Sequence, residues 1–433
     1  MNSHTKILVV LLCMCCFATQ AQQKISGTIT DQETKEPLPF SSIAVPNSTT
    51  GTMTNANGEF ELQLKEDQNQ IQISYVGYID TLITVDVKKN VYEIEVKPYT
   101  FSLTEIIVFS LTPLEYIQKA LEKHPSLIPD QPFESQAFFA AKSGIKNDDA
   151  NSYEIHEAVY KTYFSDYAND TLEENSQLIL YNHIREGGFE SILEKNKRLN
   201  KMAKESKNDE EEESKVDDNG VGINSSEKDN DNSVDFNING ITGAGPSGAL
   251  EETKSITNQQ FFDEEYFKKF KYTFGEQTFY QGRELIKIDF TNKRKVEHAF
   301  YNGSIYLDYQ DLAIVAVDYN VKAKIPFYIN VLLKTIVGIT ISEVTGNVKI
   351  RNQAINGKWY PKELVSGFDI TLKQKKEFET MNIAQVLNFG KIILEDPSQI
   401  EADKIFSEEE EYEVQIYPIP GVDWEDVNVI RME

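Results

Sequence analysis

The chain has 433 residues, with 69 Asp and Glu against 43 Lys and Arg and a formal net charge of −26. That length has room for two or three domains, each able to bury its own core. Such an acidic surface repels nucleic acid and anionic headgroups at long range, which argues against DNA or RNA as a partner.

Residues 1–21 read as a secretory signal: Lys6 gives the positive start, "ILVVLLCMCCF" the apolar run and "TQA" the small-residue exit. The run is shorter than the ~18 apolar residues that spanning needs, so no transmembrane span is expected in the mature chain. All three cysteines, Cys13, Cys15 and Cys16, lie in this stretch. Their loss on cleavage removes disulfides, thiolate metal sites and cysteine nucleophiles together. None of them follows a small residue, so lipidation ranks behind simple cleavage. The expected destination is the periplasm or the outer membrane of a bacterial envelope.

Residues 22–100 alternate apolar and polar positions in short runs: Ile25 and Ile29; Ile43 and Val45; Phe60, Leu62 and Leu64; Ile71, Ile73 and Tyr75. Period two between turn residues predicts half-buried strands of a β-sandwich. Pro37 and Pro39 mark a loop or edge. Asn57 and Gly58 can both take positive φ and predict a tight reversal. Residues 101–128 form a connector, whose helix starts behind Thr112 as cap and Pro113 in the first turn and ends at His124 and Pro125.

Residues 129–202 open a second domain, with a strand in "YEIHEAVYKTYF" and a polar helical run in "FESILEKNKRLNKMAKES". Residues 203–258 are rich in Asp, Glu, Asn, Ser and Gly, and are expected to be a disordered acidic insertion that cannot bury enough surface to offset its ordering entropy. From 259 to 400 most of the chain predicts antiparallel strands, with turns at Gly282, at Asn302 with Gly303 and at Asn356 with Gly357. The run "IPFYINVLLKTIVGITI" predicts a buried or groove-covering helix, since Lys334 in its middle disfavours a membrane span. Residues 401–433 read as an acidic tail with one short strand. The fold class is mostly β: a sandwich followed by a larger, curved antiparallel β domain with a few helices.

No catalytic constellation stands out. "GAGPSG" at 243–248 has the form G-x-G-x-x-G but lacks the strand before it and the helix after it that would present a pyrophosphate to a helix N-terminus, so no cofactor is expected. His183 with Glu186, followed by His298, are the weak candidates for a zinc site. The crowd of Phe261, Phe262, Tyr266, Phe270, Tyr272 and Phe274 can line an apolar ligand groove or, as the more frequent use of such residues, fill a core.

The segments "ISGTITD", "EPLPFSSIAV", "GTMTNANGEFEL" and "ISYVGY", in that order, resemble the carboxypeptidase regulatory-like domain. That resemblance implies a transthyretin-like seven-strand sandwich, common in envelope proteins of the Bacteroidota. In the carboxypeptidases the module follows a catalytic zinc domain; here it leads the chain, so enzyme function does not carry over. The module also precedes the plug and barrel of TonB-dependent importers, for which this chain lacks the length and the membrane strands. "SLTEIIVFSLTPLEYIQKALEKHPSLIPDQPFESQAFFAAKSG" with "GSIYLDYQDLAIVAVDYNV" is similar to envelope proteins whose second domain resembles the half-barrel of lipoprotein carriers.

Three functions follow in order: a non-catalytic exported binding or scaffold protein of the envelope, a carrier of a lipid or lipoprotein acyl chain, and last a zinc metallocarboxypeptidase. A filled inner face of the large sheet would favour the first. An apolar cavity there would favour the second.

Overall fold

In this computed structural model the described residues are 23–46, 50–65, 67–86, 88–99, 110–146, 153–170, 175–186, 246–296, 298–336, 340–374, 377–407, 412–420, 422, 424, 430 and 432. Two compact units divide the chain: the first takes Met1–Tyr99 with Gly421–Arg431 and Glu433, the second Thr100–Pro420 with Met432. Both are built mainly of β-strands, as the alternation predicts.

The first unit holds β1 (Gln23–Asp31), β2 (Ser42–Ala44), β3 (Gly51–Met53), β4 (Glu59–Leu64), β5 (Gln70–Ser74), β6 (Thr81–Thr84) and β7 (Val91–Val96). They form two sheets, ordered β4-β1-β7 and β3-β2-β5-β6. Ile25, Ile29, Ile43, Phe60, Leu62, Ile71, Ile73 and Ile94, from five of these strands, face inward and share one core. Gly27 is fixed by a close approach: a Cβ there would lie 2.0 Å from the Tyr92 carbonyl oxygen. Asp31 accepts the backbone N–H groups of Glu33 at 2.6 Å and Thr34 at 2.9 Å, and the Tyr78 hydroxyl donates to it at 2.5 Å. One carboxylate therefore ties "GTITD" to "SYVGY".

The reversal before β4 differs from the expectation. Gly58 takes φ +76°, whereas Asn57 keeps a negative φ. The Asn55 side-chain carbonyl accepts the N–H groups of Asn57 at 3.0 Å and Glu59 at 2.9 Å, so an Asx turn does the work assigned to a second left-handed residue.

The second unit begins with α1 (Pro113–Leu127), capped reciprocally by Thr112 and Glu115. The helix runs through His124 and Pro125, where it was expected to stop. Pro125 sits in its last turn, and the Ile128 N–H still reaches the His124 carbonyl at 3.2 Å.

The strands that follow are β8 (Phe133–Ile145), β9 (Tyr153–Phe164), β10 (Ser176–Glu186), β11 (Phe270–Phe274), β12 (Thr278–Tyr280), β13 (Arg283–Asn292), β14 (Ala299–Asp308), β15 (Ile314–Ala323), β16 (Thr340–Ile355), β17 (Lys358–Gln374) and β18 (Glu377–Ile393). The helices among them are α2 (Pro246–Lys254) and α3 (Phe327–Ile336). All eleven strands join one antiparallel sheet in the order β10-β9-β8-β18-β17-β16-β15-β14-β13-β11, with β12 also on β13. The tight turns at Gly282 and at Asn356 with Gly357 have the positive φ expected of them. Asn302 and Gly303 do not form a turn: they lie inside β14, where a Cβ on Gly303 would meet the Asp318 carbonyl oxygen at 2.1 Å.

Three further expectations are corrected. Residues 246–258 are ordered, because Ala249, Leu250 and Ile256 on α2 and the turn after it supply a buried apolar stripe; residues 203–245, and the polar helical run before them, lie outside the described residues. The C-terminal segment is more than a tail. Phe406 joins the core, and the N–H groups of Phe406 and Tyr417 bond the carbonyls of Ser176 and Leu178 at 2.8 and 2.9 Å, covering the free edge of β10. Residues 412–415 form a 3₁₀ turn, and no strand occurs among the described residues after β18. Finally, α3 packs Leu333 against Ile341, Ile370, Met381 and Ile383 at one end of the sheet, away from the main core.

Candidate functional site

The zinc candidates separate in space. His183 on β10 lies directly opposite His156 on β9, so the two imidazoles share a face and stack, with centroids 4.3 Å apart and planes 12° off parallel. Glu154, two residues before His156, points the same way. Its Oε1 is 3.8 Å from His156 Nε2 and its Oε2 is 3.6 Å from His183 Nε2. Glu186 instead ends β10 opposite Tyr153, and His298, at φ +71°, sits in the turn before β14, seven strand steps from β10 along the sheet. The set His183, Glu186 and His298 is therefore no metal site. Sequence reasoning missed Glu154 and His156, whose alternate spacing within a strand was visible but whose partner was not.

Two imidazoles and a carboxylate, with donor atoms within 4.8 Å of one another, have the chemistry of a metal-ligand set. Here both carboxylate oxygens are occupied: Arg185 Nη2 donates to Oε2 at 3.0 Å and Ser143 Oγ to Oε1 at 3.3 Å. His156 Nδ1 is held by the Tyr181 hydroxyl at 2.6 Å. The guanidinium already supplies the charge that a cation would bring. Burial raises the Glu154 carboxyl, but the nearby His156 and the hydrogen-bonded Arg185 guanidinium outweigh it and hold the group at about 2. Burial and the neighbouring His156 lower His183.

A carboxyl depressed in the folded state contributes stability that is present above its ordinary value of 4.5 and lost as the pH falls towards 2. Arg185 is 37% exposed, so solvent screening reduces the network to about 1 kcal/mol. Glu154→Gln should cost that much in urea unfolding at neutral pH, and the difference should shrink towards zero as the pH falls through this window. A deficit that stays constant across it would show that the carboxylate is not the source.

The aromatic candidates fill the core. Phe261 and Phe262 are fully buried and Phe270 nearly so, while Tyr266, Tyr272 and Phe274 pack half-buried around them. Phe261 stacks on Phe290 of β13 with centroids 4.2 Å apart. The inner face of the sheet, carrying Phe139, Tyr160, Phe290, Ile305, Tyr319 and Leu364, is thus filled by α1, α2 and this segment, all in one contiguous cluster. A cavity of 260 Å³ beside α1, lined by His124, Leu127, Tyr167, Lys254, Ile314 and Trp359 among others, mixes polar and apolar walls and is small for an acyl chain.

A wider trough, of 510 Å³, opens on the other face. Tyr301 and Tyr319 point into the core, so their neighbours Asn302 and Asn320 point away from it. Asn302 lies opposite Asn320, and Asn320 opposite Asn347. With Asn382 they line the trough; Asn320 donates to Asn302 at 3.0 Å, and Asn382 to Asp369 at 2.9 Å. Amides donate and accept hydrogen bonds but do not move protons at ordinary pH, so this row suits binding. Each asparagine was visible in the sequence, but only the strand register puts them in line.

Fold and sites together define a protein with a β-sandwich followed by a large antiparallel sheet, whose inner face carries the main hydrophobic core and whose other face carries an amide-lined trough. The sandwich is a carboxypeptidase regulatory-like domain: residues 25–108 match the family described as CarboxypepD_reg-like domain, a stretch that runs from within β1 through β7 of the first unit. Among curated proteins none matches this chain.

Proposed function

We propose that this protein is a non-catalytic binding or scaffold component of the cell envelope, exported by way of residues 1–21, and that the amide-lined trough receives an envelope protein partner. The filled inner face of the second unit carries the reading, because Phe261 and its neighbours occupy the space an acyl chain would need. The regulatory-like sandwich is compatible with it, since that fold supplies packing and edges and no reaction. Native mass spectrometry of the mature chain purified from its own envelope should give a mass free of lipid. A photoreactive residue at Asn320 should crosslink to a protein. A stoichiometric acyl-lipid adduct would overturn the scaffold reading and restore the carrier.

A further inference from the structure

Three connections meet at one end of the large sheet. The register sets Ala299 of β14 opposite Ala323 of β15, Ala323 opposite Val344 of β16, Thr340 of β16 opposite Lys373 of β17, and Lys373 opposite Phe378 of β18. The β13–β14, β15–β16 and β17–β18 connections therefore lie side by side. Each brings cations and an exposed aromatic ring: Lys293, Arg294 and Lys295 with Phe300; Lys322, Lys324 and Lys334 with Phe327 and Tyr328; Lys373 with Phe378. Phe327 is 84% exposed, Tyr328 66%, Phe378 62% and Phe300 42%.

The outward pose of α3 is fixed from behind. The Asn330 amide donates to the Ile341 carbonyl at 2.9 Å and accepts the Ile341 N–H at 2.8 Å, while Leu333 is buried beside it. With these two residues turned to the sheet, Phe327, Tyr328 and Val331 face away. Lys295 stands 5.9 Å from the Phe300 ring and Lys373 5.0 Å from the Phe378 ring, so the cations sit beside the apolar tips.

We infer that this end of the sheet docks on a lipid surface bearing anionic headgroups. Charge complementarity selects the occupant: among the described residues of the three connections seven cations face three carboxylates, Glu343, Glu377 and Glu379, in a chain of net charge −26. The acidic remainder does not cancel a local patch, because charges more than about 8–10 Å away are screened at physiological salt. Rings on a rigid helix and at strand ends, flanked by Lys and Arg, are the composition that sits at a membrane interface. Phe300 and Lys322 also border the asparagine trough, but the docking surface does not depend on the trough binding anything.

The test is sedimentation of the full mature chain with vesicles of phosphatidylcholine, alone or mixed with phosphatidylglycerol. Only the mixed vesicles should carry the protein down, and added salt should release it. Replacing Lys293, Arg294 and Lys295 by glutamine should weaken binding roughly 100-fold, at about a decade or less per charge. The exposed triple Phe327→Ser, Tyr328→Ser, Phe378→Ser should abolish it with an unchanged melting profile and an unchanged Asn320 crosslink. In Phe378→Trp, emission should shift to shorter wavelength on mixed vesicles. Binding to neither vesicle, equal binding to both, or binding that neither triple alters would overturn the inference. So would capture of a soluble protein by this surface with no vesicle effect.

Discussion

Replacing Phe261 by alanine is expected to lower the stability of the second unit by about 3–5 kcal/mol in urea unfolding. Phe261 is fully buried, stacks on Phe290 at 4.2 Å and meets Phe270 edge-on at 6.4 Å and Tyr301 at 6.2 Å. Truncation removes the transfer energy of a whole ring and leaves a void that the surrounding rings of Phe262, Phe270, Phe290 and Tyr319 cannot fully collapse into. Phe261→Leu keeps most of the volume and should cost no more than about 1.5 kcal/mol. The void also has a chemical signature. It is apolar, so benzene should raise the melting temperature of the alanine variant and leave the natural protein unchanged. A loss below about 1 kcal/mol would mean the inner face is loosely filled, and the carrier reading would return.

The second large effect belongs to Arg351 on β16. Its side chain is 6% exposed and grips Asp318 with both terminal nitrogens, Nη1 to Oδ1 at 2.5 Å and Nη2 to Oδ2 at 3.1 Å. Glu363 of β17 lies opposite it, buried, its carboxyl pushed up by desolvation against the pull of Arg351. Arg351→Leu strands these carboxylates beside a desolvated sheet, and the expected loss is about 3–5 kcal/mol. Adding Asp318→Leu removes one of the orphans and should restore part of the stability. Lysine at 351 keeps the charge without the fork and should fall between. A double variant no more stable than the single would show that the Asp318 pair is not what the arginine serves.

Much of the local structure was legible in the chain. Period-two alternation located the sandwich strands because one face of each had to be buried, and Thr112 with Pro113 announced α1 because a helix N-terminus leaves donors unpaired. Errors fell where a distant neighbour outweighed local preference. Asn302 with Gly303 had the chemistry of a turn, but the glycine is needed inside β14 for a close backbone approach. Pro125 had the look of a terminator and is tolerated in a last turn. The start of α2 was hidden in low-complexity sequence because its apolar stripe has meaning only against the sheet it covers.

The sites were less legible for the same reason. A pairing such as His156 with His183, or Asn302 with Asn320 and Asn347, joins residues that strand register alone makes neighbours. Basic and aromatic residues in "NKRKVEHAF", "KAKIPFY" and "LKQKKEF" were equally scattered, under a net charge that pointed the other way.

By itself the sequence determined the β class, the sandwich and its family, since these rest on periodicity, turn residues and a short ordered pattern in 84 consecutive positions from 25 to 108. Only the tertiary structure decided that the aromatic crowd is core, that Glu154 is already paired and that cations gather at one end of the sheet. Those outcomes depend on contacts between residues far apart in the chain, and in an antiparallel sheet a shift of one residue in register would have turned strand residues such as Glu154 and His156 to the opposite face.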